Sequence, residues 1–219
     1  AKPRRLYIMA VGCVLSLVHI ALLPNAPLIH HNSKQPLHRS AVIRCQEAAA
    51  VIETPKIESD CGFDYVPLLT ALQAGEFREA DQLTRDALIK LAGDAAVARG
   101  YVYFTEVPKL PVADMATLQR LWYAYSEGKH GYVVQAQAWE SKRVMRNYDK
   151  FFERIGWKNK EGSLLRWLPE AKNDEFIYEL EKSPKGHLPL TSTLRGTQLL
   201  ERLLTHEAWQ LEEFADITF

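Results

Sequence analysis

An all-α domain is predicted from three observations. Apolar residues recur at steps of three and four through most of the chain beyond residue 60. Glycines and prolines fall between those periodic stretches, at the ends of short helices rather than inside them. No strand-rich run and no βαβ alternation interrupts the pattern.

The first predicted helix runs from Tyr65 to Ala74, with Leu68, Leu69 and Leu72 on one side. Pro67 lies in its first turn, where a missing N–H is harmless, and Gly75 ends it. Phe77, Ala80, Thr84, Ala87 and Leu91 give a second helix, closed by Gly93. Two short amphipathic helices meeting at a glycine predict an antiparallel hairpin. Its DY-x2-L-x3-L-x2-G-x-F-x-EAD pattern resembles a tetratricopeptide hairpin, but no second copy follows at a period near 34 residues. Gly100 to Lys109 reads as an extended or loop segment containing Tyr101, Tyr103 and Phe104. Pro108 and Pro111 bracket a turn, and Asp114 is a candidate N-cap for the helix through Met115, Leu118, Trp122 and Tyr125.

That helix breaks at Gly128 and Gly131, around the turn Glu127-Gly128-Lys129-His130, which is expected to be exposed. A second apolar run extends from Tyr132 to Trp139. Tyr148, Phe151, Phe152 and Ile155 form a further helix ending at Gly156. From Trp157 to Pro189 the chain is irregular yet rich in large apolar residues, so it must cover something. Leu190 to Leu204 is expected to be helical, with Trp209 and Phe214 packing the tail back onto the core.

Composition bounds the function. The chain has 219 residues, 47% apolar and 25% charged, with zero formal net charge, so nothing in the balance argues for nucleic-acid binding. The charge is uneven. Before Glu47 there are six Lys/Arg and no acid; from Cys61 onward there are 20 basic and 23 acidic residues, a net of −3. Leu6 to Leu23 is an apolar run long enough for a signal or anchor segment, and His30 to Arg44 is basic and acid-poor, like an organelle transit segment. The alternative is a permanent N-terminal membrane anchor. We place residues 1–60 as leader and linker and 61–219 as the folded domain. Cys13, Cys45 and Cys61 have no metal-ligand spacing, which favours a reducing compartment for the folded part.

No P-loop, GxSxG, HExxH or GxGxxG occurs, and no pair of carboxylates is placed for acid–base work. No catalytic residue is assigned, and an enzyme is not expected. His130, His187 and His206 read as surface or hydrogen-bonding residues, so no metal site is assigned.

Leu121-Trp122, Tyr125-Ser126-x-Gly128-Lys129, Gly131-Tyr132 and Val134-Gln135, closing at Trp139, together with Gly186-His187-Leu188-Pro189, carry a family signature. They resemble the "genomes uncoupled" tetrapyrrole-binding family over roughly Asp64 to Trp209. The departures are local: His130, Tyr132 and Val133 replace a basic-Phe-Gly-Phe-Ser turn, and Leu118-Gln119 replaces Ile-Asp. The resemblance implies a cupped helical surface covered by the loops around Trp167 and after Tyr101. It also implies protoporphyrin IX and magnesium protoporphyrin IX as ligands, and the large porphyrin-binding subunit of magnesium chelatase as partner. Trp167 would cover the macrocycle and Arg195 would pair with a propionate, with Val134 and Trp139 in the floor. A plastid location follows, reached through a bipartite leader and with possible membrane association. The rival reading is a helical adaptor that binds only protein.

Overall fold

The computed structural model describes residues 53–166, 175–190 and 197–219, all of them within the unit Ala48–Phe219. Among them are helices α1 (Val66–Gln73), α2 (Phe77–Leu91), α3 (Asp94–Arg99), α4 (Val112–Tyr125), α5 (Tyr132–Glu140), α6 (Tyr148–Arg154) and α7 (Thr197–Leu204). Short 3-10 turns follow at Val107–Lys109, Glu207–Gln210 and Glu212–Phe214. No strand is present among the described residues, only an isolated bridge between Lys158 and Leu164. The all-α reading holds.

α1 and α2 pack against each other, with Pro67 in the first turn of α1 and Gly75 left-handed between them. The small residues Ala80, Thr84 and Ala87 are buried on the inner side of α2, where Trp122 of α4 reaches across to them. There the Trp122 indole N–H donates to Thr84 Oγ1 at 2.9 Å, and the Thr84 hydroxyl donates to the Ala80 carbonyl at 2.7 Å. A buried ring and a buried hydroxyl thus satisfy each other.

α4 is buried almost all round, which explains its weak sidedness. Asp114 is not its N-cap. That position belongs to Pro111, and Asp114 lies fully buried in the first turn. Its carboxylate accepts the Asp60 N–H and the Tyr65 hydroxyl, each at 2.9 Å. Thr117 holds Glu58 by both of its backbone groups, and Arg120 donates to the Lys56 carbonyl. Residues 56–60, read from the sequence as linker, therefore pack on α4 as part of the folded unit.

The turn after α4 also differs from expectation. Its last member, His130, is fully buried. Gly131 then starts α5 at a φ of 124°, and a Cβ there would come within 2.5 Å of the Gln119 side chain. Gln119 occupies that space because its Oε1 accepts the Val133 N–H at 2.8 Å, satisfying one of the open donors at the start of α5. Its own Nε2 is buried with no partner.

The 175–190 segment is stitched to α5 and to the stretch just after α6. Gln135 Nε2 donates to the carbonyls of Gly186 and Pro189, and the Trp157 indole N–H donates to the His187 carbonyl. Leu190 is not helical. α7 is described from Thr197, and residues 191–196 lie outside the described part. Trp209 and Phe214 are buried as expected, the Trp209 ring stacking on Tyr132 with centroids 5.8 Å apart. The described residues include no helix long and apolar enough to cross a membrane, and Leu6 to Leu23 lies outside them.

Candidate ligand-binding site

One face of α2, the segment after α3 and the inner face of α7 enclose an apolar cleft. Leu88 and Ile89 come from α2, Val102, Val107 and Leu110 from the connecting segment, Leu199 and Leu203 from α7, and Leu190 closes one side. Leu spacing explains the α7 wall, since Leu199, Leu200, Leu203 and Leu204 all fall on its buried stripe. The recess holds about 70 Å³, against roughly 300–1,000 Å³ for a pocket that swallows a small molecule. As it stands, it can support one face of a flat apolar ligand but not engulf it.

Arg85 is the one charged residue in the described lining. Its guanidinium pairs with Asp81, one turn earlier on α2. The Asp81 carboxylate is fully buried, and its other oxygen accepts the Leu190 N–H at 2.6 Å. Beside the cleft, Arg99 forks onto both oxygens of Glu106 at 2.7 Å and lies 4.3 Å from the centre of the Tyr103 ring. Glu106 also accepts the Tyr103 N–H; that bond and Arg99 hold its carboxyl below the usual range. Tyr103 and Phe104 remain exposed at this edge. Tyr101 meets Tyr103 edge-on at 5.2 Å and itself lines the cleft.

A larger groove, of about 1160 Å³, runs between the start of α2 and residues 175–181. Its lining includes Glu76, Glu79, Glu175, Glu179 and Glu181 with one arginine, Arg78. Five carboxylates repel a dianionic ligand, so the smaller apolar cleft with its arginine is the better match for a flat diacid.

Val134 and Trp139, expected in a ligand floor, do not line the cleft. Both are buried in the core, the Trp139 ring packed against Tyr148 and Phe151 at 4.7 and 5.5 Å. Trp167 and Arg195 lie outside the described residues. Arg85 escaped sequence reasoning because it sits off the Ala80–Thr84–Ala87 stripe. The available signal was an Asp and an Arg at i, i+4, followed by Leu88 and Ile89 where a solvated face should be polar.

The histidines are internal fasteners. His187 Nδ1 donates to the Ile155 carbonyl at 2.8 Å, and its Nε2 accepts the Ile177 N–H at 3.1 Å. The Nε2 of His130 bonds Ser183 Oγ at 2.9 Å; burial, with His187 and Lys129 nearby, pushes its pKa down to about 3. His206 accepts the Ala208 N–H through Nδ1, and burial lowers its pKa as well. No group of three or more His, Cys, Asp or Glu that could hold a metal ion occurs among the described residues.

A family model described as GUN4-like matches residues 58–207. The chain is 42% identical over 135 residues to the "Tetrapyrrole-binding protein, chloroplastic" of Arabidopsis thaliana, which covers 61% of this chain and 50% of that protein. It is 39% identical over 153 residues to the Ycf53-like protein of Synechocystis, covering 70% of this chain and 62% of that one. The chain thus spans between half and about 62% of the length of these curated relatives. Among solved structures, GUN4 from Chlamydomonas reinhardtii superposes with a TM-score of 0.62 at 44% identity, over 71% of this chain and 95% of that one. Ligand-free GUN4 from Arabidopsis thaliana gives 0.60 at 38% identity, over 67% and 98%.

Proposed function

Because this chain belongs to the GUN4-like family, we propose that it binds a tetrapyrrole in the cleft between α2 and α7 and regulates tetrapyrrole metabolism without itself turning over a substrate. The observation that carries the reading is the cleft lining, which is apolar and aromatic apart from Arg85. A porphyrin is a flat apolar disc with two propionates on one edge. Its disc takes the Leu and Val surface, and its acids take arginine. The printed name of the Arabidopsis relative, a tetrapyrrole-binding protein of the chloroplast, supports both the ligand class and a plastid location.

Protoporphyrin IX and magnesium protoporphyrin IX are the proposed ligands, and stimulation of magnesium chelatase through its large porphyrin-binding subunit is the proposed activity. In this reading Trp167 covers the macrocycle and Arg195 joins Arg85 in pairing with the acids. None of His130, His187 and His206 lines the cleft, so these histidines offer a bound magnesium no axial nitrogen there. Free and metallated rings should then bind alike.

The test is a titration of the chain with each porphyrin, followed by Soret shift and Trp quenching, then a chelatase rate assay with and without the protein. Binding near one to one, with a higher rate of magnesium protoporphyrin formation, is expected. An unchanged porphyrin spectrum at tens of micromolar, as an order of magnitude, overturns the ligand. Binding without any change in rate overturns the regulator. The protein-only adaptor is favoured by the exposed Val66 and Val97 on the α1–α3 side, and it predicts that no porphyrin binds.

A further inference from the structure

We propose that Asp81 is a positioning residue for acid recognition, acting through Arg85; the inference rests on the tetrapyrrole reading of the cleft. Asp81 is fully buried in the middle of α2 and holds both the Leu190 N–H and Arg85. One carboxylate oxygen accepts the Leu190 N–H at 2.6 Å, fixing the wall of the cleft. The other pairs with the guanidinium of Arg85, whose side chain is 16% exposed at the cleft surface.

A neutral amide could accept the Leu190 N–H just as well. What the charge adds is the pairing with Arg85. A guanidinium at an apolar wall stays there while a carboxylate behind it offsets its desolvation. Without that carboxylate, the long flexible side chain turns its head to bulk water, as arginines at apolar surfaces do. The cleft would then keep its shape and lose its aimed cation. Asp81 is thus the reason that a positive group faces a site otherwise built from Leu, Val and Tyr.

The experiment compares protoporphyrin IX with its dimethyl ester on the 219-residue chain. The readout is the ratio of ester to acid Kd, which cancels any general loss of cleft shape. Wild type should prefer the acid by about tenfold, the scale of a hydrogen bond to a charged group. Asp81→Asn should drop the ratio to that of Arg85→Gln, and the double variant should fall no further. A ratio unchanged in Asp81→Asn overturns the proposal. So does tighter acid binding in that variant, because Asp81 would then compete with the ligand for Arg85. If Asn at this site fails to fold, Asp81→Ser supplies a smaller neutral acceptor. A ligand-free measurement separates this inference from the ligand assignment: the Arg85 Nε–Hε signal in a ¹⁵N spectrum of wild type should be slowly exchanging and motionally restrained. A freely averaging signal overturns the positioning role, whereas failure of wild type to bind either porphyrin, with Arg85 restrained, overturns the tetrapyrrole reading alone.

Discussion

Tyr65→Phe removes one oxygen from the junction between the 56–60 segment, α1 and α4. In the wild type the hydroxyl donates to Asp114 Oδ1 at 2.9 Å, and Tyr65 is only 2% exposed. Phe leaves the ring packing against Phe63 unchanged, so the loss is that of a hydrogen bond to a buried carboxylate. Such bonds contribute about 1.5–3 kcal/mol. The remaining donor near that oxygen is the Cys61 thiol at 3.9 Å, too distant and too weak to replace it. In a folded unit of this size each kcal/mol lowers Tm by about 2–4 °C, so a fall of roughly 3–12 °C is expected. Urea unfolding followed by circular dichroism is the assay: the midpoint should drop while the m-value stays constant. A stability change under about 0.5 kcal/mol, on the scale expected of a neutral surface substitution, would show that Asp114 is held by its other donor, the Asp60 N–H, and that Tyr65 acts only through its ring.

Three further outcomes can be checked with similar means. His130 and His206 both have folded pKa values below the unfolded one, so the unfolded chain binds more protons as pH falls below about 6.5; stability should be full above that pH, decline toward about 3, and decline less steeply in His130→Gln, as measured by urea midpoints across pH. Gly131→Ala should cost about 1–3 kcal/mol or more, because its positive φ strains any side chain and the Gln119 amide occupies the space; the urea midpoint reads the loss. Arg195→Ala should weaken protoporphyrin IX binding by about 1–3 kcal/mol and the dimethyl ester by less; equal losses in fluorescence titration would mean that Arg195 acts on structure instead of on a propionate.

The helices with a clear apolar period were legible residue by residue. Phe77, Ala80, Thr84 and Ala87 are buried as read, and Gly75 and Gly156 turn left-handed at the expected corners. What was not legible depended on partners distant in sequence. Asp114 looks like a cap because Asp commonly precedes a helix; its buried place is set by Tyr65 and Asp60, some 50 residues away. His130 ends a charged, glycine-containing turn and so reads as exposed, yet it is covered by the segment carrying Ser183. Asp94–Arg99 was missed as a helix because six residues are too few to show a period. The site was legible only as chemistry. An apolar surface with arginine was expected, but the family pattern directed attention to Val134 and Trp139, which lie in the core, while Arg85 emerged only once α2, α7 and Leu190 were brought together.

Arg120 has a consequence for the architecture of the chain as a string. Its guanidinium forks onto Glu213 at 2.9 Å while reaching the Lys56 carbonyl and Glu58, so two segments far apart in sequence are clasped at one side chain. A clasp of this kind closes a long loop around the helices that lie between the two segments. The exposed Asn159–Ser163 turn, held mainly by its own short-range bonds, is the natural place to cut that loop without disturbing the clasp. Pulling the 56–58 segment away from Glu213 would load the Arg120 clasp directly.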